Sequence, residues 1–174
     1  MMKTFITAFV LSGAIVFAVC VAHAAPASES RMLLQSVDNM AVSMADTADR
    51  LNLGASRTNH ADAEAEQLNM LREDINQIGH ELSSLENQEG TLPDWERKTL
   101  DQIVPIMQEI AATTEKAIQN FDTNRNHVWA TGLPEQAVTI SQDAERVKEI
   151  VHANLKLASV RAEEQRLEST VNGF

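Results

Sequence analysis

Residues 100–121 read LDQIVPIMQEIAATTEKAIQNF. Leu100, Ile103, Met107, Ile110, Thr114, Ala117 and Phe121 recur at alternating steps of three and four. That spacing places all seven on one face of a helix, with acids, amides and lysine on the other faces. Thr91-Leu92-Pro93-Asp94 stands just upstream. The reading there is a helix start with Thr91 as cap, Pro93 tolerated in the first turn and Asp94 complementing the dipole. The spacing continues through Arg125 and Val128, so the helix is expected to reach Trp129. Pro105 falls about 170° from the apolar face, toward solvent, where a proline bends a helix around its core and does not break it.

The same periodicity extends outward in both directions. Upstream, Leu68, Leu71, Ile75, Ile78, Leu82 and Leu85 form a heptad seam on a helix over about 58–88, ended by Gly90. Before it, Leu33, Val37, Met40, Met44, Ala48 and Leu51 define a helix over about 29–53, with Gly54 as a left-handed cap. Downstream, Thr131-Gly132-Leu133-Pro134 makes a turn. A last helix follows over about 134–171, its core face Ala137, Ile140, Ala144, Val147, Val151, Leu155, Ala158 and Ala162. Leu167 and Val171 drift off that line, so its end is expected to curve or overhang. Period-2 alternation is absent, as is tyrosine. Four amphipathic helices with short connections predict an all-α, up-and-down antiparallel four-helix bundle. No polar linker separates domains.

The first 24 residues have a different character. Lys3 is their only charge, an apolar run follows from Phe5 to Ala22, and Ala22-His23-Ala24 gives the small-x-small pattern that a signal peptidase reads. Residues 1–24 are therefore expected to be a cleaved signal peptide and 25–174 a single helical bundle domain, periplasmic or extracellular. A retained anchor is the rival reading, and the absence of a basic stop-transfer cluster counts against it. Cys20 is no lipidation site in this reading, because Val19 precedes it where a small residue is expected.

Composition narrows the chemistry. Cys20 is the only cysteine and leaves with the signal peptide. Disulfides, thiolate metal sites, covalent haem and cysteine nucleophiles go with it. Removing Lys3 as well leaves a net charge of −12. Residues 29–89 carry 12 acids and 4 bases, against 13 and 9 in 91–174. Phosphate backbones and anionic lipid are repelled by such a chain, so nucleic acid is excluded as a partner and no stable membrane insertion is expected after processing.

Leu92-Pro93-Asp94-Trp95, then Ile103-Val104-Pro105, then Thr114 with Ala117-Ile118, resembles uncharacterised small exported helical proteins of Acidobacteria. The likeness covers about one fifth of the mature chain, mainly residues 91–121. It implies a helical bundle and an exported location, and it brings no activity or site residues.

The remaining candidates for chemistry are weighed by geometry. Glu149 and His152 form the Glu-x-x-His motif that di-iron bundles use twice. Here it occurs once, with Gln77 and Asn124 in the glutamate position before His80 and His127. Glu149 lies about 160° and His152 about 100° from the core centre of their helix, so they cannot converge on a buried metal. His60 and Glu64 are spaced to share an adventitious surface ion. A haem bundle would need a methionine early in the first helix, such as Met32, and a histidine late in the last. His152 sits about 28 Å short of that end. Met40 and Met44 read as core filler. Thr114 is expected to bond its own helix backbone and Arg125 to snorkel at a bundle end. Trp95 and Trp129 read as end plugs. No phosphate loop, serine elbow or paired carboxylate is recognised. No catalytic, cofactor or metal residue is therefore assigned. The expectation is a non-enzymatic exported bundle acting as a structural or protein-interaction module. The alternative is a small-ligand or metal-binding bundle with a site at one end.

Overall fold

The computed structural model describes residues 26–55, 61–124 and 132–171. Among them four α-helices run α1 Pro26–Ala55, α2 Ala61–Glu86, α3 Asp94–Thr123 and α4 Leu133–Val171, with a 3-10 turn at Glu89–Thr91 between α2 and α3. No strand occurs among the described residues. No helix there is long and apolar enough to cross a membrane.

The helices pack as a ring in which each touches its two neighbours: α1 against α2 and α4, and α3 against α2 and α4. Side-chain pairs fix the directions. Ser36 and Ser43 on α1 reach Glu81 and Asp74 on α2, so those two helices run antiparallel. Ser30 near the start of α1 reaches Glu96 in the first turn of α3, which places both starts at the same end. The arrangement is the up-and-down four-helix bundle that the spacing predicts.

α1 and α4 share the most extensive contact. Their buried faces are rich in alanine: Ala41, Ala45 and Ala48 on one, Ala137, Ala144 and Ala158 on the other. Small side chains let two helix backbones approach closely. The contact between α2 and α3 is the sparsest of the four.

The α3 face is buried as the spacing requires, from Leu100 through Phe121. Elsewhere the details shift. On α1 the core line is Leu34, Val37, Ala41, Met44, Ala48 and Leu51, while Leu33 and Met40 pack at its edge. On α2, Ile75 is only partly buried. On α4, Leu155 is partly buried and Ala162 exposed.

The helix ends differ more. Gly54 lies inside α1, and the glycine with positive φ is Gly132, at 76°, just before α4. α2 ends at Glu86, ahead of Gly90. Thr91 does not cap α3. Its hydroxyl donates to the Gln88 carbonyl at 2.8 Å, and Pro93 occupies the cap position without a side-chain bond. α3 ends at Thr123, short of Trp129. The export signal, His60, Arg125, His127 and Trp129 lie outside the described residues.

Candidate functional site

The gap between α2 and α3 forms a concave surface among the described residues. Where two antiparallel helices touch sparsely, the side chains between them leave space. Here that space forms two adjoining hollows of about 240 Å³ each, sharing Glu86 and Val104. Ile75, Leu82, Leu100, Val104 and Met107 supply an apolar floor. Gly79 and Ala111 widen it, because neither carries a large side chain. A Cβ placed on Gly79 would meet nothing within 4 Å. Glu86, Glu89 and Asp101 give the rim an acidic cast, with Arg97 as its one base. That guanidinium is paired with Asp94.

Pro105 lines this groove, is exposed, and also borders a more open hollow of about 450 Å³ on the α4 side with Asp101, Ile106 and Arg146. It lies within an unbroken α3. Proline has no N–H, so the Asp101 carbonyl one turn earlier lacks its helical donor. An unpaired backbone acceptor thus stands beside the acidic rim, where it favours hydrogen-bond donors and cations.

A second polar constellation lies at the end of the bundle where α1 and α3 begin. Glu96 is 1% exposed and Ser30 fully buried. Burial pushes the Glu96 carboxyl up from its ordinary value, while the Ser30 hydrogen bond and the Arg31 charge pull it back. Glu96 Oε2 is buried and has no hydrogen-bond partner among the described residues. Arg31 sits 6.0 Å from the centre of the Trp95 ring, at the outer limit of a cation–π contact. Trp95 itself packs against the core and serves as an end plug. Further along α1, Ser43 bonds Asp74, whose carboxyl is raised by burial, lowered by that bond and raised again by Glu73.

Most of the residues weighed for metal or haem that the structure describes lie on the surface. Glu149 and His80 are exposed. His152 is 70% exposed at its side chain and its Nδ1 lies 3.7 Å from Asp38 Oδ2 on α1. Met32 is 65% exposed, while Met44 is buried and Met40 packs at the core edge. Glu64, spaced with His60 in the sequence, is itself 3% exposed. Among the described residues no group of three or more His, Cys, Asp or Glu is placed to hold a metal ion. Thr114 is buried, and its hydroxyl has no hydrogen-bond partner, contrary to the expected bond to its own helix.

Spacing missed the buried polar groups and the groove. Ser36 and Ser43, seven residues apart on α1, were the available signal for the partly buried carboxylates of α2, and Glu96 had none. Nothing in a single helix's periodicity encodes the groove, since it depends on how far apart two helices settle. Compared with protein-family models, with curated proteins and with solved structures, the chain matches none.

Proposed function

We propose that this chain is a non-enzymatic, exported protein-interaction module whose α2–α3 groove takes a basic amphipathic helix from a partner protein. One observation carries the reading: an apolar floor between two helices, walled by Glu86, Glu89 and Asp101. Helix-in-groove recognition needs such a floor for the partner's apolar face and a rim complementary to its flanks. The acidic rim and the open Asp101 carbonyl select lysine and arginine there. The net charge of the mature chain favours the same partners and disfavours anionic ones. The leader-like residues 1–24 and the resemblance of residues 91–121 to exported helical proteins support an exported setting.

The test uses a synthetic amphipathic helix of about 18 residues, long enough to hold helical structure, with leucines on one face and lysines on its flanks. Binding is read by fluorescence anisotropy. Saturable one-to-one binding is expected. It is lost when glutamates replace the lysines and lost in Gly79→Phe, which fills the floor from an exposed helix position. Binding that survives Gly79→Phe would move the interaction off this groove.

A further inference from the structure

α4 outlasts its own bundle. Thirteen consecutive residues, Ser159 to Val171, are all exposed. The last buried residue is Ala158. The helix thus continues about 20 Å past its last buried residue. A helix of that length gains little from local propensity in water and draws its stability from an amphipathic face packed against something.

The extension carries such a face. Leu157, Val160, Leu167 and Val171 are 47%, 48%, 54% and 74% exposed. With Glu164 between them they step by three, four, three and four residues, a heptad seam. The seam points about 140° away from the line through Val147, Val151 and Ala158 that faces the core. It cannot serve the bundle and its own seam at once.

Charge identifies the occupant. The mature chain carries −12, but residues 156–171 hold Lys156, Arg161 and Arg166 against Glu163, Glu164 and Glu168. This segment is balanced, so two copies meet there without the repulsion that separates the rest of the molecule. In a parallel pair Glu164 would stack on Glu164, Glu163 on Glu168 and Lys156 on Arg161, all like charges. An antiparallel pair centred between Gln165 and Arg166 sets Val160 against Val171 and Leu167 against Glu164. It also brings Arg161 beside Glu168 of the second copy, twice by symmetry. We infer that the α4 extension pairs antiparallel with the same extension of a second copy of this chain, forming a two-fold dimer that leaves both bundles and both α2–α3 grooves open. Glu164 in the seam and the short overlap make the dimer weak and concentration-dependent.

Sedimentation equilibrium on the intact chain tests this, with circular dichroism confirming that each variant is folded. A monomer–dimer equilibrium is expected below about 1 mM. Arg161→Glu turns both cross-pairs into like-charge contacts and should weaken it by about tenfold. Adding Glu168→Arg restores the pairs in reversed sense and should restore the dimer. Leu167→Asp should leave a folded monomer. A chain that stays monomeric throughout that range, a dimer indifferent to Leu167→Asp, or a charge reversal that fails to rescue would each overturn the pairing. The peptide-binding groove is read separately and is unaffected by any of these variants.

Discussion

Ser36 Oγ on α1 donates a 2.9 Å hydrogen bond to Glu81 Oε1 on α2, and Ser43, seven residues later, repeats the arrangement with Asp74, seven residues earlier on α2. Two equal steps in opposite directions are the signature of an antiparallel heptad interface in register. Apolar seams tolerate sliding by a heptad, because one leucine layer resembles the next. Serine–carboxylate pairs tolerate it less, since a slip by one heptad keeps a single pair, Ser36 with Asp74 or Ser43 with Glu81, and leaves the other carboxylate without its serine. Polar groups in a seam set register at some expense of stability, as they do in coiled coils.

Removing the donors therefore tests the register. Ser36→Ala and Ser43→Ala should each lower the unfolding free energy by about 1 kcal/mol, because a partly buried carboxylate loses a hydrogen-bond donor on α1. Urea denaturation reads the change. If both substitutions are silent, the pairs are incidental to the α1–α2 packing.

The pH dependence follows from two carboxyls. Burial raises Asp74 from 3.8 and Glu96 from 4.5. A raised carboxyl binds its proton more tightly in the folded than in the unfolded state. Its contribution is fully present below the unfolded value and is lost as the pH rises through the folded one. The bundle should thus be more resistant to urea at about pH 4 than at about pH 7, as far as these groups decide it. Asp74→Asn with Glu96→Gln keeps the serine contacts and removes the titration, so the slope should flatten. An unchanged slope in the double variant would assign the effect to overall charge.

How far the sequence determines the packing is visible in adjacent apolar pairs. Leu33–Leu34 and Met40–Ala41 each offer two residues for one core position. Size alone favours Met40, yet Ala41 is fully buried and Met40 packs at the core edge. On α3 all seven residues of the stripe from Leu100 to Phe121 are buried as read, and Ile106, beside Met107, is buried in addition. Ile75 fits its seam in spacing, but its neighbour across the seam is the open α2–α3 groove. Glu96 gave no warning at all. A single glutamate in a first turn reads as a dipole partner, and its burial depends on Ser30, contributed by a helix two elements earlier.

The core assignment has its own test. Leu71, Ile103 and Ile110 are fully buried, and truncating any of them to alanine should cost about 2 to 5 kcal/mol. Ser83 and Glu115 are exposed, and the same change there should stay within about 0.5 kcal/mol. Ile75→Ala should fall between the two groups. Equal losses at Ile75 and Ile110 would mean that the groove is closed in solution.

Pro105 joins the stability of α3 to the shape of the groove. Its ring removes one helical hydrogen bond and crowds the Asp101 carbonyl, which normally costs about 3 kcal/mol in a helix interior. Being exposed, it makes no core contact that alanine would forfeit. Pro105→Ala should therefore preserve the bundle and raise its stability by about 1 to 3 kcal/mol. The new amide should also be protected from hydrogen exchange by the Asp101 carbonyl. The functional consequence runs the other way. With that carbonyl occupied and α3 straighter, the rim loses an acceptor, and the basic amphipathic helix should bind more weakly. A variant that is both more stable and a poorer binder would show that the proline is kept for the groove. A variant that unfolds would place Pro105 in packing that α3 requires, and one that binds unchanged would remove the Asp101 carbonyl from recognition.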